Sequence, residues 1–170
     1  MTEPYVPPEL VPQEGVGTPD RLQRLWAPHR MAYVTGEDGA GSTADAARFA
    51  TQSDGNHATA LDGGVAKAAF GGRLDNDGNT AYASGTGAVA EAGSYALNSD
   101  DNTARATGPG SRARAGGGID TAEISDYPDG NDRNAATATT GGRAEPGFGG
   151  SRNTDNAAAA PGGATSRAGR

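Results

Sequence analysis

The sequence predicts an all-β protein: a thin β-solenoid or β-roll of Ala/Gly/Asn repeats, with long disordered segments and one short N-terminal helix. Three observations carry this. The phrase Asn-x-Ala-x-Ala begins at Asn56, Asn79, Asn102, Asn134 and Asn156, and a repeat of about two dozen residues describes an architecture before it describes any site. A second alternating arm follows each phrase: Ala66/Ala68, Ala90/Ala92 and Ala113/Ala115, then a weaker Ala144 and Ala168. The chain of 170 residues holds 28 Gly, 10 Pro and only 5% aromatics, so it is rich in turn formers and poor in bulk to bury. The same composition supports a competing expectation, a largely disordered chain.

Taken in order, residues 1–17 are expected to be a disordered arm. Pro4, Pro7, Pro8 and Pro12 exclude helix there and favour polyproline II. Residues 18–35 read as a short helix followed by an extended arm. Thr18 suits an N-cap, Pro19 the first helical position, and Asp20 the positive end of the dipole. Leu22, Leu25 and Trp26 recur at i, i+3 and i+4, and Pro28 stops the helix. So short a helix is marginal alone. Leu22, Leu25, Trp26, Met31 and Tyr33 are therefore a candidate docking strip for a protein partner, or local packing within the chain. Residues 36–53 read as a linker and 54–170 as the repeat region.

Within the repeats the clearest unit runs from Asn102 to Gly116 as strand, turn, strand, turn. Period-two placement puts Ala on one face and Thr, Tyr, Arg, Lys or Glu on the other. Asn at each corner is placed to form a side-chain ladder between stacked coils. The Ala face is small, so a lone chain is expected to be marginal and self-association through stacked repeats is expected to help.

Net charge is −7, which disfavours nucleic acid or anionic membranes as partners. Gly36–Asp101 holds ten acidic residues against three basic, whereas Arg105–Arg170 holds eight Arg against seven acidic. No Cys is present, so thiolate chemistry and disulfides are excluded. No apolar run is long enough for membrane insertion. Residues 1–14 lack the apolar region of a secretory signal, which places the chain in the cytoplasm as an expectation.

Candidate chemistry is sparse. His29 and His57 are 28 residues apart without neighbouring ligands. Asp75-Asn76-Asp77-Gly78-Asn79 alternates oxygen groups in a way that suggests Ca²⁺. The sixth and twelfth positions are Thr80 and Thr86, however, rather than the Gly and Glu of an EF-hand. Asp54-Gly55-Asn56 is a good turn sequence, and turn chemistry is the simpler reading of both. Gly85-Thr86-Gly87 and Gly108-Pro109-Gly110 open no helix, so they do not read as phosphate loops. No Gly-x-Ser-x-Gly elbow occurs. No catalytic residue and no cofactor is expected.

Two stretches resemble known families. Residues 54–116, with their alternating Ala-x-Ala arms and Gly corners, resemble the head repeats of YadA-type trimeric autotransporter adhesins, which form a β-roll. Those rolls place Ile or Val inward at many turns, where this chain has Ala; no heptad stalk or membrane anchor follows. Residues 15–34, with the core Leu25-Trp26-Ala27-Pro28-His29-Arg30-Met31-Ala32-Tyr33, resemble the N-terminal arm of actinobacterial HIT-family proteins, which are diadenosine-polyphosphate phosphorylases and hydrolases. That resemblance implies a packing element for the arm. The family's chemistry uses three alternating His near the C-terminal end, and this chain has no His-x-His. The functional expectation is a non-enzymatic structural or interaction protein. The alternatives are a remnant, fusion or aberrant product of a HIT-family enzyme, and a weak calcium-binding repeat module.

Overall fold

The computed structural model describes residues 23–27, 30–38, 41–46, 53–70, 76–117, 130–147 and 152–168, with residues 23–38 described by backbone alone. Thirteen strands follow one another: β1 Gln23–Ala27, β2 Arg30–Asp38, β3 Thr43–Ala46, β4 Asn56–Leu61, β5 Val65–Ala68, β6 Thr80–Ser84, β7 Val89–Ala92, β8 Thr103–Thr107, β9 Arg112–Ala115, β10 Ala135–Thr139, β11 Arg143–Ala144, β12 Ala157–Ala160 and β13 Thr165–Ser166. They alternate between two sheets. One runs β1-β2-β4-β6-β8-β10-β12, the other β3-β5-β7-β9-β11-β13. From β2 onward every pairing is parallel. The fold is a β-solenoid, as the repeats predict, and its described coils are ordered rather than disordered.

Register follows the Ala pattern. Ala58, Ala81, Ala104, Ala136 and Ala158 stand above one another, as do Ala60, Ala83, Ala106, Ala138 and Ala160. The second sheet aligns Ala44, Ala66, Ala90, Ala113 and Ala144, with Ser166 completing the row. These Ala form a single core cluster, and from Ala58 to Ala144 all are at most 1% exposed. Small side chains let the two sheets approach closely, and the alternation leaves every intervening residue on an outer face. Register survives unequal spacing. Successive Asn are 23 residues apart, then 32 between Asn102 and Asn134, then 22. The longer interval contains residues 118–129, which lie outside the described set.

The corners after β7, β9 and β11 carry Gly, while the equivalent corner after β5 carries Ala69, also left-handed at φ 53°. Gly93, Gly116 and Gly147 have φ of 59, 61 and 62°. A Cβ at Gly93 would lie 2.6 Å from the Asn79 carboxamide carbon, and those at Gly116 and Gly147 would collide likewise with Asn102 and Asn134. At these three corners Gly meets both the left-handed backbone and the close carboxamide without a clash.

Two expectations are corrected. The helix expected from Thr18 to Ala27 is not there in its described part: Gln23–Ala27 is strand β1, paired antiparallel with β2. A two-turn helix carries a nucleation cost with few bonds to repay it. As a strand the same residues pair with β2, whose other edge is bonded to β4. Leu25 then stands opposite Ala32, Trp26 opposite Met31, and Tyr33 opposite Arg24. The linker expected over residues 36–53 also contributes to the stack. β2 continues to Asp38, and Thr43–Ala46 is β3, in register with β5. Residues 1–22, including Leu22 and the Pro-rich arm, lie outside the described residues.

Candidate functional site

The polar side chains concentrate at the corner before each Asn-x-Ala-x-Ala arm. Asn56, Asn79, Asn102 and Asn134 are buried to 1% or less. Each Oδ1 accepts the backbone N–H of the next Asn: Asn79 to Asn56 at 3.0 Å, Asn102 to Asn79 at 3.1 Å, Asn134 to Asn102 at 3.0 Å and Asn156 to Asn134 at 3.2 Å. Each Nδ2 reaches a carbonyl of the next corner, such as Asn102 to Asn131 at 2.6 Å and Asn134 to Asn153 at 2.7 Å. This is the predicted ladder.

Two further ladders run beside it. Three residues before each Asn stand Ser53, Asn76, Ser99, Asn131 and Asn153, all buried. They bond in series: Asn76 N–H to Ser53 Oγ at 3.2 Å, Ser99 N–H to Asn76 Oδ1 at 2.9 Å, Asn131 N–H to Ser99 Oγ at 3.3 Å and Asn153 N–H to Asn131 Oδ1 at 2.9 Å. The third ladder runs the other way. Asp54 N–H donates to Asp77 Oδ1 at 2.6 Å, Asp77 to Asp100 at 2.8 Å and Asp100 to Asp132 at 3.1 Å. Asn oxygens take donors from the coil after them and Asp oxygens from the coil before, so each coil is clamped on both sides. The signal is present as Ser-Asp-Gly-Asn, Asn-Asp-Gly-Asn, Ser-Asp-Asp-Asn and Asn-Asp-Arg-Asn ahead of the first four Ala arms, whereas the fifth is preceded by Asn-Thr-Asp-Asn.

The stacked carboxylates repel. Burial, together with the charges of Asp77, Asp132 and Asp101, holds the Asp100 carboxyl above its ordinary range despite the N–H of Asp77. A raised folded-state pKa means that folding favours the protonated acid. Its stabilising contribution is full below the unfolded value near 3.8 and is lost as pH rises through the folded pKa. Asp100→Asn keeps an oxygen for the Asp77 N–H and removes the charge. Its thermal midpoint at neutral pH is expected to exceed that of the parent, with the two curves converging below about pH 4.

The outer face of the second sheet carries an alternating row. Asp45, Lys67, Glu91 and Arg114 are in direct register, and Glu145 and Arg167 continue the alternation. Glu91 lies 3.7 Å from Lys67 Nζ and 3.1 Å from Arg114 Nε, and its side chain is 10% exposed. Glu145 takes Arg167 Nε at 3.0 Å and pairs with Arg143. Burial lowers the Arg114 pKa, and Glu91 opposes that shift. Such a row matches only in one register, because a one-coil slip sets like charges together. Glu91→Gln leaves two half-buried cations without their anion and is expected to cost about 2 kcal/mol in urea unfolding. Beside this row, Arg112 stands in register with Arg143, and its buried Nε has no hydrogen-bond partner. Lys67 also lies 4.7 Å from the Phe70 ring centre, and Phe70 meets Tyr95 edge to face. On the first sheet Arg105 stacks over Tyr82 at 4.9 Å.

The residues singled out for chemistry fall apart on this scaffold. His57 is an outward position of β4, in register with Tyr33 and Thr80. His29 and Asp75 lie outside the described residues. Asn76, Asp77 and Asn79 give oxygens to backbone N–H groups of neighbouring coils, which is turn and ladder chemistry. Among the described residues no group of three or more His, Cys, Asp or Glu is placed to hold a metal ion. Of the expected strip, β1 and β2 bring Trp26 opposite Met31, while Leu25 and Tyr33 face other partners across the hairpin. Compared with known proteins, the chain matches no family model, no curated protein and no solved structure.

Proposed function

We propose that this chain is a non-enzymatic structural or interaction protein whose rigid solenoid displays flat outer faces. The observation that carries this reading is the engagement of the corner side chains: buried Asn and Ser and more exposed Asp in three ladders bond coil to coil. An enzyme instead keeps some converging polar groups for substrate. The hairpin β1–β2 belongs to the same unit, because β2 pairs with β4 along six positions. That continuity favours a single integrated chain over a misjoined HIT-family remnant. The hairpin positions Leu25, Trp26, Met31 and Tyr33 remain the proposed contact for a protein partner.

Circular dichroism with urea unfolding tests the reading. A β spectrum and a cooperative transition are expected, and a coil spectrum at every concentration would overturn it. Turnover of diadenosine tetraphosphate by the purified chain would revive the enzyme-remnant reading, and none is expected.

A further inference from the structure

The two ends of the stack are closed differently. In each coil the first outward residue of the Asn arm donates its N–H forward. His57 reaches the Asn79 carbonyl, Thr80 that of Asn102, Thr103 that of Asn134 and Ala135 that of Asn156, all at 2.8 Å. The second arm does the same, with Val65 donating to Ala88 and Arg143 to Ala164 at 2.8 Å. Ala157 and Thr165 occupy those places in the last described coil, and Asn156 occupies the ladder position. Their N–H groups and the Asn156 Oδ1 therefore face beyond β12 and β13, where the described residues place no strand. At the other end of the first sheet, β1 covers β2 in antiparallel register.

β12 reads Ala157-Ala158-Ala159-Ala160, without charge or bulge, and Pro161 at its end confines the open edge to these four residues. Such an edge accepts another strand through its main chain. We propose that β12 pairs antiparallel with β12 of a second copy about a twofold axis, so that the first sheet runs through both molecules. The edge is complementary to itself: a twofold sets the same N–H and C=O groups of Ala157 and Ala159 against their copies. Its cross-strand neighbours are methyl groups, with no like charges opposed. Head-to-tail addition to the same sheet would meet β1, which runs antiparallel to β2, rather than a parallel strand. A twofold contact uses the β12 edge of both copies, so pairing through this edge stops at two. This inference rests on the scaffold reading and names the surface through which the scaffold self-associates.

Light scattering of the full chain across a wide concentration range tests it. The mass is expected to rise from 16.9 kDa to twice that value and no further. In parallel, the amide hydrogens of Ala157 and Ala159 should exchange slowly in concentrated solution and rapidly in dilute solution. Ala157→Pro removes an outward N–H at an edge position that tolerates proline. It is expected to stay monomeric with the parent's circular dichroism spectrum. Ala158→Pro instead removes an inward N–H, by the alternation of the parallel ladder, and should lower stability. A constant monomer mass with rapid exchange at Ala157 and Ala159 overturns the proposal, as does open-ended growth into filaments. A folded monomer leaves the scaffold reading standing, whereas loss of the β spectrum defeats that reading itself.

Discussion

Asn102→Ala is expected to destabilise the solenoid by about 3–5 kcal/mol, since each buried polar group left unpaired costs about 1–3 kcal/mol. Asn102 is fully buried. Its Oδ1 receives both the N–H and the Nδ2 of Asn134, at 3.0 and 3.1 Å. Its Nδ2 donates to Asn79 Oδ1 at 3.0 Å and to the Asn131 carbonyl at 2.6 Å. Truncation orphans the Asn134 N–H outright and leaves the Asn131 carbonyl short of a donor. It also opens a gap beside Gly116, whose backbone packs on the missing carboxamide. Asn102→Asp does not rescue, because a carboxylate cannot donate to the Asn131 carbonyl. Position along the stack supplies the control. Asn156 is only half-buried and no described coil follows it, so Asn156→Ala should cost less than about 1 kcal/mol. Urea unfolding of the two variants measures the contrast. Equal losses would mean that ladder bonds do not hold the interior coils.

The stacking direction was legible because two signals agreed. Period-two Ala fixed which face turns inward, and recurrence of Asn fixed which residues meet between coils. Together they predict the register of Ala58, Ala81 and Ala104 without any structure. The first coil was less legible. Ala44-Asp45-Ala46 is a complete second arm, but its partner strand β2 carries Ala32, Val34 and Glu37 opposite the positions of β4, not the Asn-x-Ala-x-Ala phrase. From sequence alone the arm therefore reads as part of a linker. Residues 18–27 misled for a different reason. Helical spacing of Leu22, Leu25 and Trp26 is a statement about one isolated segment, whereas the hydrogen bonds of β1 come from β2, which the segment does not contain. Tertiary pairing overrides a weak local preference. The Ser/Asn and Asp ladders were missed because short polar residues before a strand read equally well as turn formers. Only stacking copies at a fixed spacing converts a turn residue into a rung. The alternating charge row is hidden for the same reason: Asp45, Lys67, Glu91 and Arg114 are neighbours only after the coils are aligned.

An Ala-only core looks too slight to hold a chain together, which is why the composition also suits disorder. The ladders change this, because their coil-to-coil bonds hold the stack without apolar bulk, and across the narrow core a methyl group fills the gap. The closeness is visible at Gly64, where an added Cβ would come within 2.8 Å of the Ala83 carbonyl oxygen and 3.0 Å of its Cβ. Such a core is intolerant of bulk rather than merely poor in it. Ala83 is fully buried in β6. Ala83→Leu adds three carbons against backbone that cannot withdraw without parting the corner bonds of the coils above and below. Overpacking usually costs about 1–3 kcal/mol. Here the loss is expected to exceed about 3 kcal/mol, because displacement spreads to neighbouring coils through the stack. Thr103→Leu, on the exposed outer face of the adjacent coil, should stay within about 0.5 kcal/mol of the parent. Thermal unfolding of both variants separates the cases: a tolerated Ala83→Leu would mean that the sheets can move apart and that the close fit of the interior is not what fixes the coil.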